Sequence, residues 1–120
     1  MPPAGQRDYS GVRFTRHALE RFTERFGGAP LDAPDALRTA LRRTRRLGKN
    51  PENQAIAVLA VHLDRALVAI LQGDACLTVL TWNQFIPRLP EFGRPGVPRK
   101  WGRLLRRLAD PNHDAEPDSD

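Results

Sequence analysis

Residues 55–82 read AIAVLAVHLDRALVAILQGDACLTVLTW, and this stretch decides the fold. Three short runs rich in Val, Ile, Leu and Ala, at 55–63, 66–71 and 76–82, are each too short for a buried helix and are separated by turn residues. Asp64-Arg65 divides the first pair and Gly73-Asp74 the second, spacings that suit tight hairpins. The expectation is a three-stranded antiparallel meander. Apolar residues fall on both faces of these strands, so one face is expected under helices and the other only partly wet.

Upstream, the pattern changes from period 2 to period 3.6. Thr15 is placed to cap a helix over Arg16–Phe26, with Leu19, Phe22 and Phe26 on one buried face and Gly27-Gly28 as the stop. Proline and acids at Asp32-Ala33-Pro34-Asp35 open a second helix, read as running to Gly48 with Leu37, Ala40, Leu41, Thr44 and Leu47 facing inward. Arg38, Arg42, Arg43, Arg45 and Arg46 would then cover its outer side. Residues 11–14 suit a short edge strand, and residues 1–11 a flexible lead-in. The fold class expected is α+β, with two N-terminal helices on a three- to four-stranded antiparallel meander. Beyond Phe85, prolines 87, 90, 95 and 98 predict an extended arm leading to a basic amphipathic helix at 99–109, in which Trp101, Leu104, Leu105 and Leu108 form an apolar stripe. The segment 110–120 has five acids and no base, the signature of a disordered acidic tail.

Charge points to a polyanionic partner. The chain of 120 residues carries +5 overall, yet all nineteen bases precede residue 110 and face only nine acids there, a net of ten positive charges. Seventeen of the nineteen are Arg, whose planar fork suits bidentate contact with phosphate. A GC-rich codon bias accounts for Arg over Lys but not for the net charge. Five arginines at 38–46 repel one another, and a phosphate backbone relieves that repulsion.

The first helix also carries a chemical constellation. His17 is followed at plus three, four and seven by Glu20, Arg21 and Glu24, with Arg25 one turn beyond Arg21. Imidazole beside guanidinium can move a proton near a phosphate and stabilise the resulting charge. The same spacing equally describes a solvated face laced with Glu–Arg pairs. His62 is read as a packed or edge residue of the first strand, and His113 as inert. No two histidines have ligand spacing and Cys76 has no cysteine partner, so neither a metal nor another cofactor is expected. No Gly-rich phosphate loop or nucleophile elbow occurs. There is no run of apolar residues long enough to span a membrane and no apolar signal core, which points to the cytoplasm.

The segment His17-Ala18-Leu19-Glu20-Arg21-Phe22-Thr23-Glu24-Arg25, with Val79-Leu80-Thr81 closing the meander, resembles small bacterial proteins of the RelE/barnase/colicin-nuclease-like ribonuclease group, which includes toxins of toxin–antitoxin pairs. The likeness covers about residues 12–85. It implies a metal-independent endoribonuclease that cleaves RNA by attack of the 2′-hydroxyl. His17 would be the acid–base group, Arg21 and Arg25 would stabilise the phosphorane, Thr81 would hold a phosphate oxygen, and Trp82 or Phe85 would stack a base. Arg103, Arg106 and Arg107 of the terminal helix would add phosphate contacts. Three readings follow. The first is this endoribonuclease acting on RNA, possible partners including an antitoxin. The second is a non-catalytic nucleic-acid-binding accessory protein, on RNA or DNA, that uses the arginine-rich surface. The third is an interaction subunit, a homodimer through the C-terminal arm included.

Overall fold

A computed structural model describes residues 6–99 and residue 101. The chain runs β1 (Gln6–Arg7), β2 (Arg13–Phe14), α1 (Arg16–Phe26), α2 (Ala33–Ala40), β3 (Thr44–Lys49), β4 (Ile56–His62), β5 (Arg65–Gln72), β6 (Ala75–Thr81) and α3 (Trp82–Phe85). Short 3₁₀ segments at Pro30–Asp32 and Ile86–Phe92 complete it. The class is α+β, as expected. The sheet is mixed, in the order β1-β3-β4-β5-β6-β2, with β3 to β6 antiparallel and β2 parallel to β6.

The meander forms where the hydrophobic runs placed it, with the first turn one residue earlier than the spacing suggested. His62 pairs with Arg65, and Leu63 and Asp64 both adopt positive φ, 49° and 64°. That backbone matches the right-handed twist of the flanking strands. Gly73, at φ 60°, turns β5 into β6.

Two layers cover the sheet. On one face Phe22, Phe26, Leu37 and Leu41 from the helices pack against Val58, Leu67, Ala69 and Val79. Thr15 caps α1 as expected, accepting the Ala18 N–H at 3.0 Å. On the other face Trp82, Phe85, Leu89, Phe92 and Trp101 pack against Leu47, Leu59, Val68, Ile70 and Leu80. Burial on both faces is why β5 is closed to solvent from Ala66 through Leu71 and shows no polar alternation.

Three expectations are corrected. The second helix ends at Ala40, and Thr44–Lys49 is a strand. Spacings of three and four made Thr44 and Leu47 look like further turns of a helical stripe, but both are buried through sheet pairing instead. The Thr44 hydroxyl donates to the Arg7 carbonyl at 3.0 Å, and the Leu41 carbonyl accepts the Tyr9 N–H at 2.8 Å. A strand also splays the arginines that a helix would crowd into successive turns. Second, residues 86–92 of the proline-rich segment form a 3₁₀ helix rather than running extended. Together with α3 it packs across the sheet through Phe85, Leu89 and Phe92. Third, the described part of the lead-in pairs with β3 rather than hanging loose. The short edge strand at 13–14 forms as expected. The rest of the terminal helix at 99–109 and the acidic tail at 110–120 lie outside the described residues, as do residues 1–5. Among the described residues no helix is long and apolar enough to cross a membrane.

Candidate nucleic-acid interface

α1 lies along β6, and its two ends are pinned at different points of that strand. At the start, Thr15 donates its N–H to the Cys76 carbonyl at 3.1 Å and its hydroxyl to the Leu77 carbonyl at 3.2 Å. At the other end, the Arg25 guanidinium donates to the Val79 carbonyl at 2.8 Å. His17, exposed in the first turn, therefore belongs to the beginning of β6, and Arg25 to its later half. Thr81 lies four residues beyond Leu77, roughly 13 Å along an extended strand. Its hydroxyl accepts the Gln84 N–H at 3.3 Å, while the Gln84 side chain accepts the Thr81 N–H at 2.9 Å, a capping box that starts α3. Arg21 is ion-paired to Glu24. Of the four residues expected around one phosphate, the structure brings Arg25 toward Thr81 and sets His17 toward the opposite end.

Two residues that sequence reasoning did not assign to a site share the Arg25 end. Arg65 donates to the Arg25 carbonyl at 3.0 Å and lies 4.6 Å above the Phe26 ring. His62, its cross-strand neighbour, meets Phe22 edge-on at 4.9 Å and Phe26 at 6.2 Å. Burial, and then the charge of Arg65, hold the His62 pKa below its ordinary value. Burial, followed by the like charge of Arg21, also lowers that of Arg25. The hairpin geometry of 62–65 was the available signal, since residues flanking a two-residue turn face each other. Their packing against Phe22 and Phe26 reads as core closure. Cys76 is buried and its pKa is pushed up to about 12, which keeps it a thiol.

The residues expected to touch nucleic acid separate into three groups. Trp82 and Phe85 are packed inside, 4% and 0% exposed, and cannot offer a ring to a base. Arg38 serves the fold: it donates to the carbonyls of Ser10 and Val12 and sits 4.7 Å above the Phe14 ring. Arg103, Arg106 and Arg107 lie outside the described residues.

Arg42, Arg43, Arg45 and Arg46 remain, and the strand adds Lys49. Arg42 and Arg43 occupy the exposed turn before β3. Register places Arg45 opposite Leu59, on the face under α3, and Arg46 opposite Val58, on the face under the helices. Lys49, opposite Ile56, joins Arg46 on that side. Five cations in eight residues thus lie on β3 and the turn before it, beside the two-residue edge strand β1, with no acid among them. The ion pairs found among the described residues join Arg13 to Asp74, Arg21 to Glu24 and Arg88 to Glu91; none involves this edge. Asp8, its pKa lowered chiefly by hydrogen bonds from Ser10, feels the Arg42 charge from the neighbouring strand end. Among the described residues no three His, Cys, Asp or Glu side chains stand close enough to hold a metal ion.

Fold and site together define a small α+β domain with both sheet faces covered and a cationic strand, β3, next to one edge. The chain matches no known protein family, curated protein or solved structure. The resemblance to the RelE/barnase group rests on the opening helix and the strand-end threonine alone.

Proposed function

We propose that this chain is a nucleic-acid-binding module whose working surface is the β3 edge. The observation that carries the reading is the run Arg42, Arg43, Arg45, Arg46 and Lys49, gathered on β3 and the turn before it with no ion-pair partner among the described residues. Uncompensated like charges raise the energy of the folded state, and a phosphate backbone lowers it by releasing counterions. Binding should weaken steeply with salt. Replacing Arg42, Arg43, Arg46 and Lys49 together by Gln should abolish it with the fold retained, read by fluorescence anisotropy and circular dichroism. Full affinity in that variant refutes the reading.

An endoribonuclease centred on His17, Arg21, Arg25 and Thr81 is the second proposal. The Arg25 side chain held beside β6 favours it. The distribution of His17 and Thr81 along that strand weighs against one phosphate touching both. It requires RNA cleavage in the presence of a chelator and its loss in His17→Ala; uncut RNA of varied sequence from the parent protein excludes it.

A further inference from the structure

We infer that the β3 edge takes a double-stranded nucleic acid by its phosphate backbone, rather than a single strand through its bases. This rests on the proposed role of that edge and adds the class of nucleic acid.

The chain has eight aromatic residues, five Phe, two Trp and one Tyr, and all eight lie among the described residues. None is exposed. Phe22, Phe26, Phe85, Phe92, Trp82 and Trp101 are buried, while Tyr9 and Phe14 are half-buried against the helix-side core. The Phe14 ring is moreover covered by Arg38. Single-strand binders gain roughly 1–3 kcal/mol per base from stacking on open aromatic faces. Here six rings are buried and the other two only partly accessible, so charge must supply most of the affinity. A duplex presents one charge per roughly 1.7 Å of axis, twice the density of one of its strands.

Geometry points the same way. Arg46 and Lys49 project to the helix side of β3 and Arg45 to the other, with Arg42 and Arg43 at one end. Cations on both sides of a strand can meet the two phosphate rows that border a groove; a single strand offers one row. β3 is six residues long, about 20 Å, which matches roughly six base pairs. The backbone of this edge is already used. β1 pairs with Thr44 and Arg45, and Arg94 donates to the Leu47 carbonyl at 3.0 Å. An added peptide strand would find those positions taken, so side-chain contact with phosphate is what the edge can offer.

The test uses the full chain with a fluorescein-labelled 20-base-pair DNA duplex, an RNA duplex of the same sequence, and the separate strands, across a sodium chloride series. Both duplexes should bind at least tenfold more tightly than the strands at equal salt. The logarithmic salt slope should be about −4 to −5, and should shrink by about 0.9 for each of Arg42→Gln, Arg46→Gln and Lys49→Gln. Arg46→Lys should keep it. A preference between the two duplexes identifies B-form or A-form geometry as the better fit, and either supports the inference. Strands binding as tightly as duplexes, or a slope unmoved in the Gln variants, overturns it. No binding to any of these probes at low salt refutes instead the underlying assignment of the edge to nucleic acid.

Discussion

Arg38 donates to two backbone carbonyls and stacks on Phe14, whereas Arg42, four residues further along the chain, stands in an exposed turn with no ion-pair partner among the described residues. The contrast extends across the molecule. Arg25 and Arg65 on the helix side bind the Val79 and Arg25 carbonyls, and Arg94 binds the Leu47 carbonyl. Among the described residues, Arg42, Arg43, Arg45 and Arg46 bind no such acceptor. A guanidinium whose donors meet protein acceptors is a strut, and its charge is partly neutralised by the dipoles it touches. One left facing water contributes field. The same residue type thus holds the fold in one region and, in our reading, attracts phosphate in the other. Counting arginines cannot separate the two uses; only their acceptors can.

Truncating a strut should have the largest effect. Arg38→Ala should cost about 2–3 kcal/mol in urea unfolding, through orphaned carbonyls and the lost contact over Phe14. A cost near zero would make Arg38 equivalent to the edge arginines. Next is Gly48, where an added Cβ would lie 2.3 Å from the Phe92 carbonyl oxygen. Gly48→Ala should cost about 1–3 kcal/mol by pushing the 3₁₀ segment off β3. Gly11→Ala, with nothing near its added Cβ, is the control and should be silent. A smaller effect is expected at His62. Its folded pKa lies below the ordinary histidine value of 6.5, so the unfolded chain binds the proton more readily. Stability should be full above about pH 6.5 and fall as pH drops through the depressed folded value. His62→Gln should remove that component from a melting-temperature profile between pH 7 and 5; an unchanged profile would show that His62 does not titrate differently in the fold. The smallest effect belongs to the edge itself. Arg42→Gln, Arg43→Gln and Arg46→Gln should each change stability by less than about 0.5 kcal/mol, toward a gain because repulsion is relieved. Added salt should stabilise the parent slightly more than the combined variant. Losses like that of Arg38 would turn these residues into struts as well.

The meander, the first helix and its Thr15 cap were legible because periodicity and turn residues agreed over several consecutive positions. The stretch 41–49 was misread for an equally physical reason. Leu41, Thr44 and Leu47 fit a helical stripe, whereas Leu41 ends α2 and Thr44 and Leu47 belong to β3, whose pairing with β1 and β4 is a long-range contact with no local signature. The coil at 82–92 escaped because its prolines predict only the loss of regular structure. Its Phe85, Leu89 and Phe92 find their places on the open sheet face, which no local pattern announces. Of the candidate site, the arginine cluster was visible as composition. The fates of Trp82, Phe85 and Arg38 were not, since aromatic rings and guanidiniums serve packing and recognition alike.

By itself, the sequence determined an α+β chain with a basic body, a capped first helix and strands too apolar to face water on both sides. Those properties depend on residues near one another along the chain. Tertiary structure alone decided which arginines are consumed by carbonyls and which remain on an edge. That choice depends on acceptors tens of residues away, as with Arg38 to Ser10, 28 positions apart, and Arg25 to Val79, 54 apart. Hydrogen bonding is short-ranged in space, and only folding brings such partners within reach.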